Sequence, residues 1–330
     1  IPFSYSQDIE DKLEEVKYRN LGPFRGGRSV SSSGVINDPL TYYMGTAGGG
    51  LWKTTNAGSE WYNISDDYFK TSSVGAVAVA ESDSRIIYVG MGEHSPRGVT
   101  TSYGDGVYKS TDEGRTWEHI GLENTQQISR IIIHPDNPDL VYVAAQGAIN
   151  GPTKERGVYK TQDGGKSWKN VLFVNELSGA SELSIDFNNP KVLYATLWEH
   201  QRFPWKVVSG GEGSGVYKSI DAGENWFKIE NGLPDELGKM AISVSRANSN
   251  KVYLLAESDS NKRLGGLFVS NNAGESWSRI SKYAELTSRA WYYIEVFTDP
   301  NDENTVYVLS ARAFRSIDGG KTWDRIYSGH

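Results

Sequence analysis

Carboxylates, histidines and arginines recur at matched places in this chain. Glu93-His94, Gln146, Glu199-His200 and Glu257 each follow a tyrosine by four or five residues, namely Tyr88, Tyr142, Tyr194 and Tyr253. Two carboxylates flanking one bond can hydrolyse a glycoside, at about 5 Å or about 6.5–9.5 Å separation. Glu93, Glu199 and Glu257 are therefore candidate catalytic groups. The spacing alone does not say which of them face one another, and Glu93 and Glu199 could equally form salt bridges with Arg97 and Arg202. Further polar and aromatic groups come from Arg25 and Arg28 in GPFRGGRS and from Arg289, Trp291 and Tyr292 in SRAWYYIEV. Arg97, Asp105, Arg156, Arg202, Phe203, Trp205 and Glu212 add to them. Aromatic and paired polar groups in a concavity suit a sugar or a peptide. The predicted ligand-binding set is Arg25, Arg28, Glu93, His94, Arg97, Glu199, His200, Arg202, Trp205, Arg289, Trp291 and Tyr292. The structural alternatives are that Arg25 and Arg28 tie down a glycine-rich entry loop, and that Trp291 and Tyr292 are core. No metal-ligand spacing is present, and no cofactor motif occurs, so neither a metal nor a cofactor is expected.

These residues sit between copies of one repeat. Gly106 to Trp117 reads GVYKSTDEGRTW, and the pattern returns at Gly50–Trp61, Gly157–Trp168, Gly215–Trp226, Gly266–Trp277 and Ala313–Trp323. The six tryptophans are 46 to 58 residues apart. A period of about 50 residues with a strand-like run on each side indicates a β-propeller. Within each copy the alternating apolar run before the turn reads as a strand. The Asx residue (Asn56, Asp112, Asp163, Asp221, Asn272 or Asp318) accepts hydrogen bonds from its own turn. The following glycine supplies a backbone angle that Cβ-bearing residues avoid, and the tryptophan places a large ring between blades.

The motif is the Asp-box, or BNR, repeat, and the chain resembles bacterial Asp-box propellers of the sortilin-like and glycosyl-hydrolase-like kind. The six copies cover most of the chain; they specify the fold and leave the function open. Xyloglucanase-type propellers carry a catalytic Asp in an Arg-Thr-Asp-x-Gly-Gly pattern of the first blade. The matching run here is Gly45-Thr46-Ala47-Gly48-Gly49, so the resemblance implies that this residue is lost at Ala47. Resemblance to sialidases implies an arginine triad, drawn from Arg25 or Arg28, Arg97 or Arg202, and Arg289, with Tyr292 as nucleophile; the Arg-Ile-Pro entry motif is absent. A lyase using arginine and a His or Tyr base is a further alternative. Resemblance to sortilin-like propellers implies a bound peptide or protein with no chemistry.

The expected fold is all-β: six four-stranded blades, or a fragment of a larger ring. Residues 1–17 form an extension with helical spacing at Ile9, Leu13 and Val16, and residues 18–330 form the propeller. The blades are expected at about 18–66, 73–122, 127–174, 179–231, 239–281 and 292–327, each with an apolar innermost strand. In a closed ring blade 6 packs on blade 1. The loops after the second strand are short in blades 1 and 6 and long in blades 2 to 5: Glu93–Asp105, Gly147–Arg156, Glu199–Ser214 and Glu257–Gly265. Long loops on one face of a rigid scaffold are where binding concentrates.

Composition narrows the classes. A chain of 330 residues with 36 glycines and 10 tryptophans suits many hairpins with aromatic packing between them. The net charge of −7 gives no nucleic-acid surface. No apolar run approaches the ~18 residues needed to cross a membrane. With no cysteine there is neither a disulfide nor a thiolate site. The start at Ile1-Pro2 fits a cleaved signal peptide or a trimmed chain, and the resemblance implies a secreted, periplasmic or cell-surface bacterial protein. The expectation is a binding module for a glycan, peptide or protein, with a glycosidase-like enzyme as the alternative; oligomeric state is open.

Overall fold

The computed structural model describes residues 28–97, 101–258, 261 and 263–326. Six four-stranded antiparallel sheets follow one another along the chain. Blade 1 comprises Ser29–Val35, Asp38–Thr46, Leu51–Thr54 and Tyr62–Asn63, and blade 2 Val74–Val79, Ile87–Met91, Val107–Ser110 and Glu118–His119. Blade 3 comprises Ile128–His134, Asn137–Ala145, Gly157–Thr161 and Lys169–Leu172, and blade 4 Ser178–Ile185, Leu193–Arg202, Gly215–Ser219 and Phe227–Ile229. Blade 5 comprises Met240–Val244, Val252–Ala256, Gly266–Ser270 and Ser278–Ser281, and blade 6 Glu295–Thr298, Val306–Leu309, Ala313–Ser316 and Asp324–Ile326. The protein is an all-β propeller of six four-stranded blades. We call the strands of each blade A to D in this order. Arg25, Asp259, Tyr327 and the 1–17 extension lie outside the described residues.

The repeated turn works as its residue types require. Asp112 Oδ1 accepts from Arg115 N (3.0 Å) and Thr116 N (2.9 Å), and its Oδ2 accepts from Thr116 Oγ1 (2.7 Å). Burial raises the Asp112 pKa, but these bonds outweigh it and bring the carboxyl to about 2. Backbone and side-chain bonds from Asn225 bring Asp221 to about 2 as well. The turn places two successive residues in the left-handed region, Glu113 at φ 65° and Gly114 at 84°. The first of these is Gly164 in blade 3 and Gly319 in blade 6, but Ala57, Ala222 and Ala273 in blades 1, 4 and 5.

Each blade is bolted to the next. In strands B and C, directly paired side chains such as Tyr43 and Lys53 share a face. Tyr43 Oη and Lys53 Nζ both donate to Glu113 O, in the turn of blade 2, at 3.2 and 3.1 Å. Tyr142 and Lys160 reach Ala222 O, both at 2.8 Å, and Tyr194 and Lys218 reach Ala273 O, both at 2.7 Å. Tyr88 donates to Pro138 O, at the start of strand B of blade 3, and Tyr253 to Glu303 O, in the A–B turn of blade 6. In the other direction, Trp117 Nε1 donates to Ile64 O and Trp168 Nε1 to Ile120 O, each in the preceding blade.

Five layers of buried apolar side chains fill the junctions from blade 1 to blade 6. Among the described residues no sixth layer joins blade 6 to blade 1. The closing packing expected there is replaced by a cleft. Two other expectations are also corrected. The innermost strands are not apolar towards the axis: they present Arg130, Glu182 and Glu295. The blade 4 segment 199–214 is not all loop, because strand B runs on to Arg202 and pairs with Val207–Ser209 as a hairpin.

Candidate functional site

The B–C loops of blades 2, 3 and 4 are joined into one rim. Asn150 Nδ2 donates to Tyr103 Oη (2.6 Å), Gln201 Nε2 to Asn150 O (3.2 Å) and Arg202 N to Ile149 O (2.6 Å). Arg156 is the internal fastener. Its guanidinium is fully buried and donates to the carbonyls of Gln146, Leu177, Ala148 and Gly151. Burial lowers its pKa to about 10.

Several of the residues expected at this rim lie beneath it. His200 is buried, stacked on Trp198 at 4.2 Å, with Arg156 Nη1 3.2 Å from its Nδ1. Burial first, and then Arg156, holds this imidazole neutral. His94 is also buried, and burial lowers its pKa to about 3. Neither histidine is placed to meet a ligand as an acid. The carboxylates are likewise engaged within their own surroundings. Glu93 is fully buried and accepts from Arg28 Nη2 (2.5 Å), Arg97 Nη2 (2.9 Å) and Ser102 N (3.2 Å). Glu199 accepts from Gly213 N (2.9 Å), and Glu257 from Ser209 Oγ (2.6 Å). Among the described residues no cluster of three His, Asp or Glu is placed to hold a metal.

Three arginines do converge. Trp291 and Tyr292, in the segment entering blade 6, meet edge to face at 6.2 Å. Arg28, from the entry to blade 1, lies 5.9 Å from the Tyr292 ring centre, and Arg289 lies 5.0 Å from it. Arg202, from blade 4, lies 5.9 Å from the Trp291 ring. Each position is within cation–π range. Trp205 stands apart at the tip of the blade 4 hairpin, 77% exposed and stacked on Phe203 at 5.7 Å.

Below Arg28 and Tyr292 opens the cleft between blades 6 and 1, about 940 Å³, reaching Tyr293, Arg130, Glu295 and Phe297. Two smaller hollows, about 510 and 720 Å³, flank blade 1 on the side of blade 2. At the floor of the cleft Arg130 bridges two carboxylates across the axis, Glu295 at 2.5 Å and Glu182 at 2.6 Å. Burial, and then the neighbouring Glu182, raises the Glu295 pKa well above the carboxylate range. Burial lowers Lys239, whose Nζ donates to Tyr292 O at 3.3 Å. Sequence reasoning missed this floor. The available signal was charge at Arg130, Glu182 and Glu295 inside otherwise apolar strands.

The chain resembles known propellers. Residues 105–264 match the Sortilin-Vps10 family, described as sortilin, neurotensin receptor 3. A xyloglucanase from Paenibacillus sp is 21% identical over 361 residues, covering 95% of this chain and 33% of that protein. This chain thus spans about a third of that relative's length. The GH74 xyloglucanase from Xanthomonas campestris superposes with a TM-score of 0.56 at 17% identity, over 90% of this chain and 52% of the other. YCF48 bound to D1 peptide superposes with a TM-score of 0.55 at 15% identity, over 91% of this chain and 82% of the other. The protein is therefore a β-propeller that resembles sortilin-like and glycosyl-hydrolase-like propellers. No helix among the described residues is long and apolar enough to cross a membrane.

Proposed function

We propose that this protein is an exported binding module that holds an acidic peptide segment of a partner protein at the mouth of the propeller. The observation that carries this reading is the gathering of Arg28, Arg202 and Arg289 around Trp291 and Tyr292. In a chain of net charge −7, a local excess of guanidinium on an aromatic base selects for carboxylates. Arg28 is shared with Glu93, which fixes its direction; Arg289 has no ion-pair partner among the described residues. Stacking arginines on rings keeps them planar and ordered before the ligand arrives, which lowers the ordering cost of binding. Trp205 and Phe203 offer an exposed aromatic contact further along the same rim.

A glycosidase is less well supported. Glu93, Glu199 and Glu257 are occupied by local hydrogen bonds, and Ala47 stands at the xyloglucanase-type acid position with its N–H donating to Arg28 O at 2.9 Å. The test is fluorescence anisotropy with a labelled Asp/Glu-rich peptide, its neutral Asn/Gln counterpart and a xyloglucan oligosaccharide. Binding of the acidic peptide alone, weakened by salt and by Arg289→Ala, supports the reading. Turnover of the oligosaccharide, abolished by Glu93→Gln or Glu199→Gln, would replace it with the glycosidase.

A further inference from the structure

The residue just before strand A has the same backbone role in five blades. Its carbonyl accepts from an N–H near the end of strand B: Ala47 N to Arg28 O, Gly92 N to Ser73 O, Gln146 N to Gln127 O, His200 N to Leu177 O and Glu257 N to Lys239 O, at 2.8–3.1 Å. Only Arg28 and Lys239 carry a cation at this place, and both reach Tyr292. Arg28, from blade 1, lies over the ring at 5.9 Å, and Lys239 Nζ, from blade 5, donates to the carbonyl at 3.3 Å. Tyr292 N and Tyr293 N both donate to Arg289 O at 3.0 Å, so holding the Tyr292 peptide also fixes the turn that carries Arg289. On its other side the buried Lys239 ammonium is 5.3 Å from the Trp198 ring centre. Trp198 Nε1 donates to Ser209 Oγ (3.0 Å), Ser209 Oγ donates to Glu257 Oε2 (2.6 Å), and Lys239 N donates to the same oxygen (3.3 Å). One side chain thus ties the blade 4 hairpin, which carries Arg202, to the turn that carries Arg289.

From this geometry we infer that Lys239 is a positioning residue for the arginine cluster, whose ammonium keeps the cluster assembled and lets it loosen when the proton leaves. The inference rests on the reading of the cluster as a peptide site and adds its regulation. Burial brings the Lys239 pKa down to about 8, against the pull of Glu295, Glu182 and Glu257. Most other groups facing it keep their charge near that pH. Burial holds His94 and His200 neutral. Burial lowers Arg130, but Glu182 and Glu295 raise it further, and burial raises the Tyr293 phenol. Glu295, itself raised, is the neighbour whose proton has to be told apart from that of Lys239.

The experiment follows anisotropy of a labelled Asp/Glu-rich peptide from about pH 6.5 to about 9.5. Wild-type Kd should rise about tenfold over that interval as Lys239 loses its proton. Lys239→Arg, which stays charged, should bind as wild type does at the low end and hold that affinity throughout. Lys239→Met should bind about tenfold more weakly at every pH, and Glu295→Gln should leave a loss with rising pH in place. Hydrogen exchange at the Tyr292 and Tyr293 amides needs no peptide, and should be faster than wild type in Lys239→Met but not in Lys239→Arg. Absence of wild-type binding at any pH would remove the peptide reading, and the exchange comparison would still decide whether Lys239 holds the turn. A flat wild-type profile, a loss with pH that Lys239→Arg shares, or equal exchange in all three proteins would overturn the inference.

Discussion

Trp117 and Trp61 occupy the same place in the repeat, and the structure gives them different work. Trp117 lies in the layer between blades 1 and 2, is 9% exposed and stands edge-on to Phe69 at 5.3 Å. Its Nε1 donates to Ile64 O at 3.0 Å. Trp117→Ala removes a buried ring from a packed layer, a change that costs about 3–5 kcal/mol, and leaves the Ile64 carbonyl without its donor at about 1 kcal/mol. The expected total, about 4–6 kcal/mol, is a large part of the 5–15 kcal/mol by which domains are ordinarily stable. Among the described residues Trp61 is half-buried and belongs to none of the five buried layers, so Trp61→Ala should cost less than half as much. Urea unfolding followed by circular dichroism, with both variants and wild type in one buffer, reads the difference. Equal costs would mean either that blade 1 is covered on its free side or that the ring is not what joins the blades. Either result refutes the account of the junctions.

The other expectations rest on separate features. Asp112 and Asp221 have folded-state pKa values of about 2, below the ordinary carboxylate range, so the stability they confer is complete above about pH 4 and is lost as pH falls towards 2. Urea midpoints at pH 6, 4 and 3 should show this fall, and Asp112→Asn should shrink it, because Asn272 makes the same Oδ1 bond to Ser276 N without a charge. Arg130→Met removes the guanidinium that buried Glu182 and Glu295 both accept from and should cost about 3–5 kcal/mol in the same melts; a change under about 1 kcal/mol would mean that the axis is wetter than the geometry indicates. Ala222→Gly relieves a left-handed residue at φ 59° and should be neutral or stabilising by up to about 1 kcal/mol, the left-handed penalty less the added unfolded-state entropy.

The fold was legible because it is written six times. Period, turn chemistry and strand alternation pointed to the same answer. The site was less legible, for a physical reason. An exposed residue such as Glu212 and a buried fastener such as Arg156 are both charged loop residues in the sequence. Only the closure of Asn150 on Tyr103 and of Gln201 on Asn150 decides which side chains are folded under. His94 and His200 each follow their blade's tyrosine by six residues, yet both are buried, packed near the rings of Tyr293 and Trp198. The convergence of Arg28, Arg202 and Arg289 joins parts of the chain more than 80 residues apart. No local pattern reports such a distance.

Binding of a labelled acidic peptide to wild type and to Arg289→Ala, measured by anisotropy at two salt concentrations, tests the central claim most directly. The account predicts saturable binding by wild type that weakens at the higher salt, at least a tenfold loss in Arg289→Ala, and an unchanged melting midpoint. Equal affinity of the two proteins, or wild-type binding that ignores both salt and the peptide's charge, would contradict it.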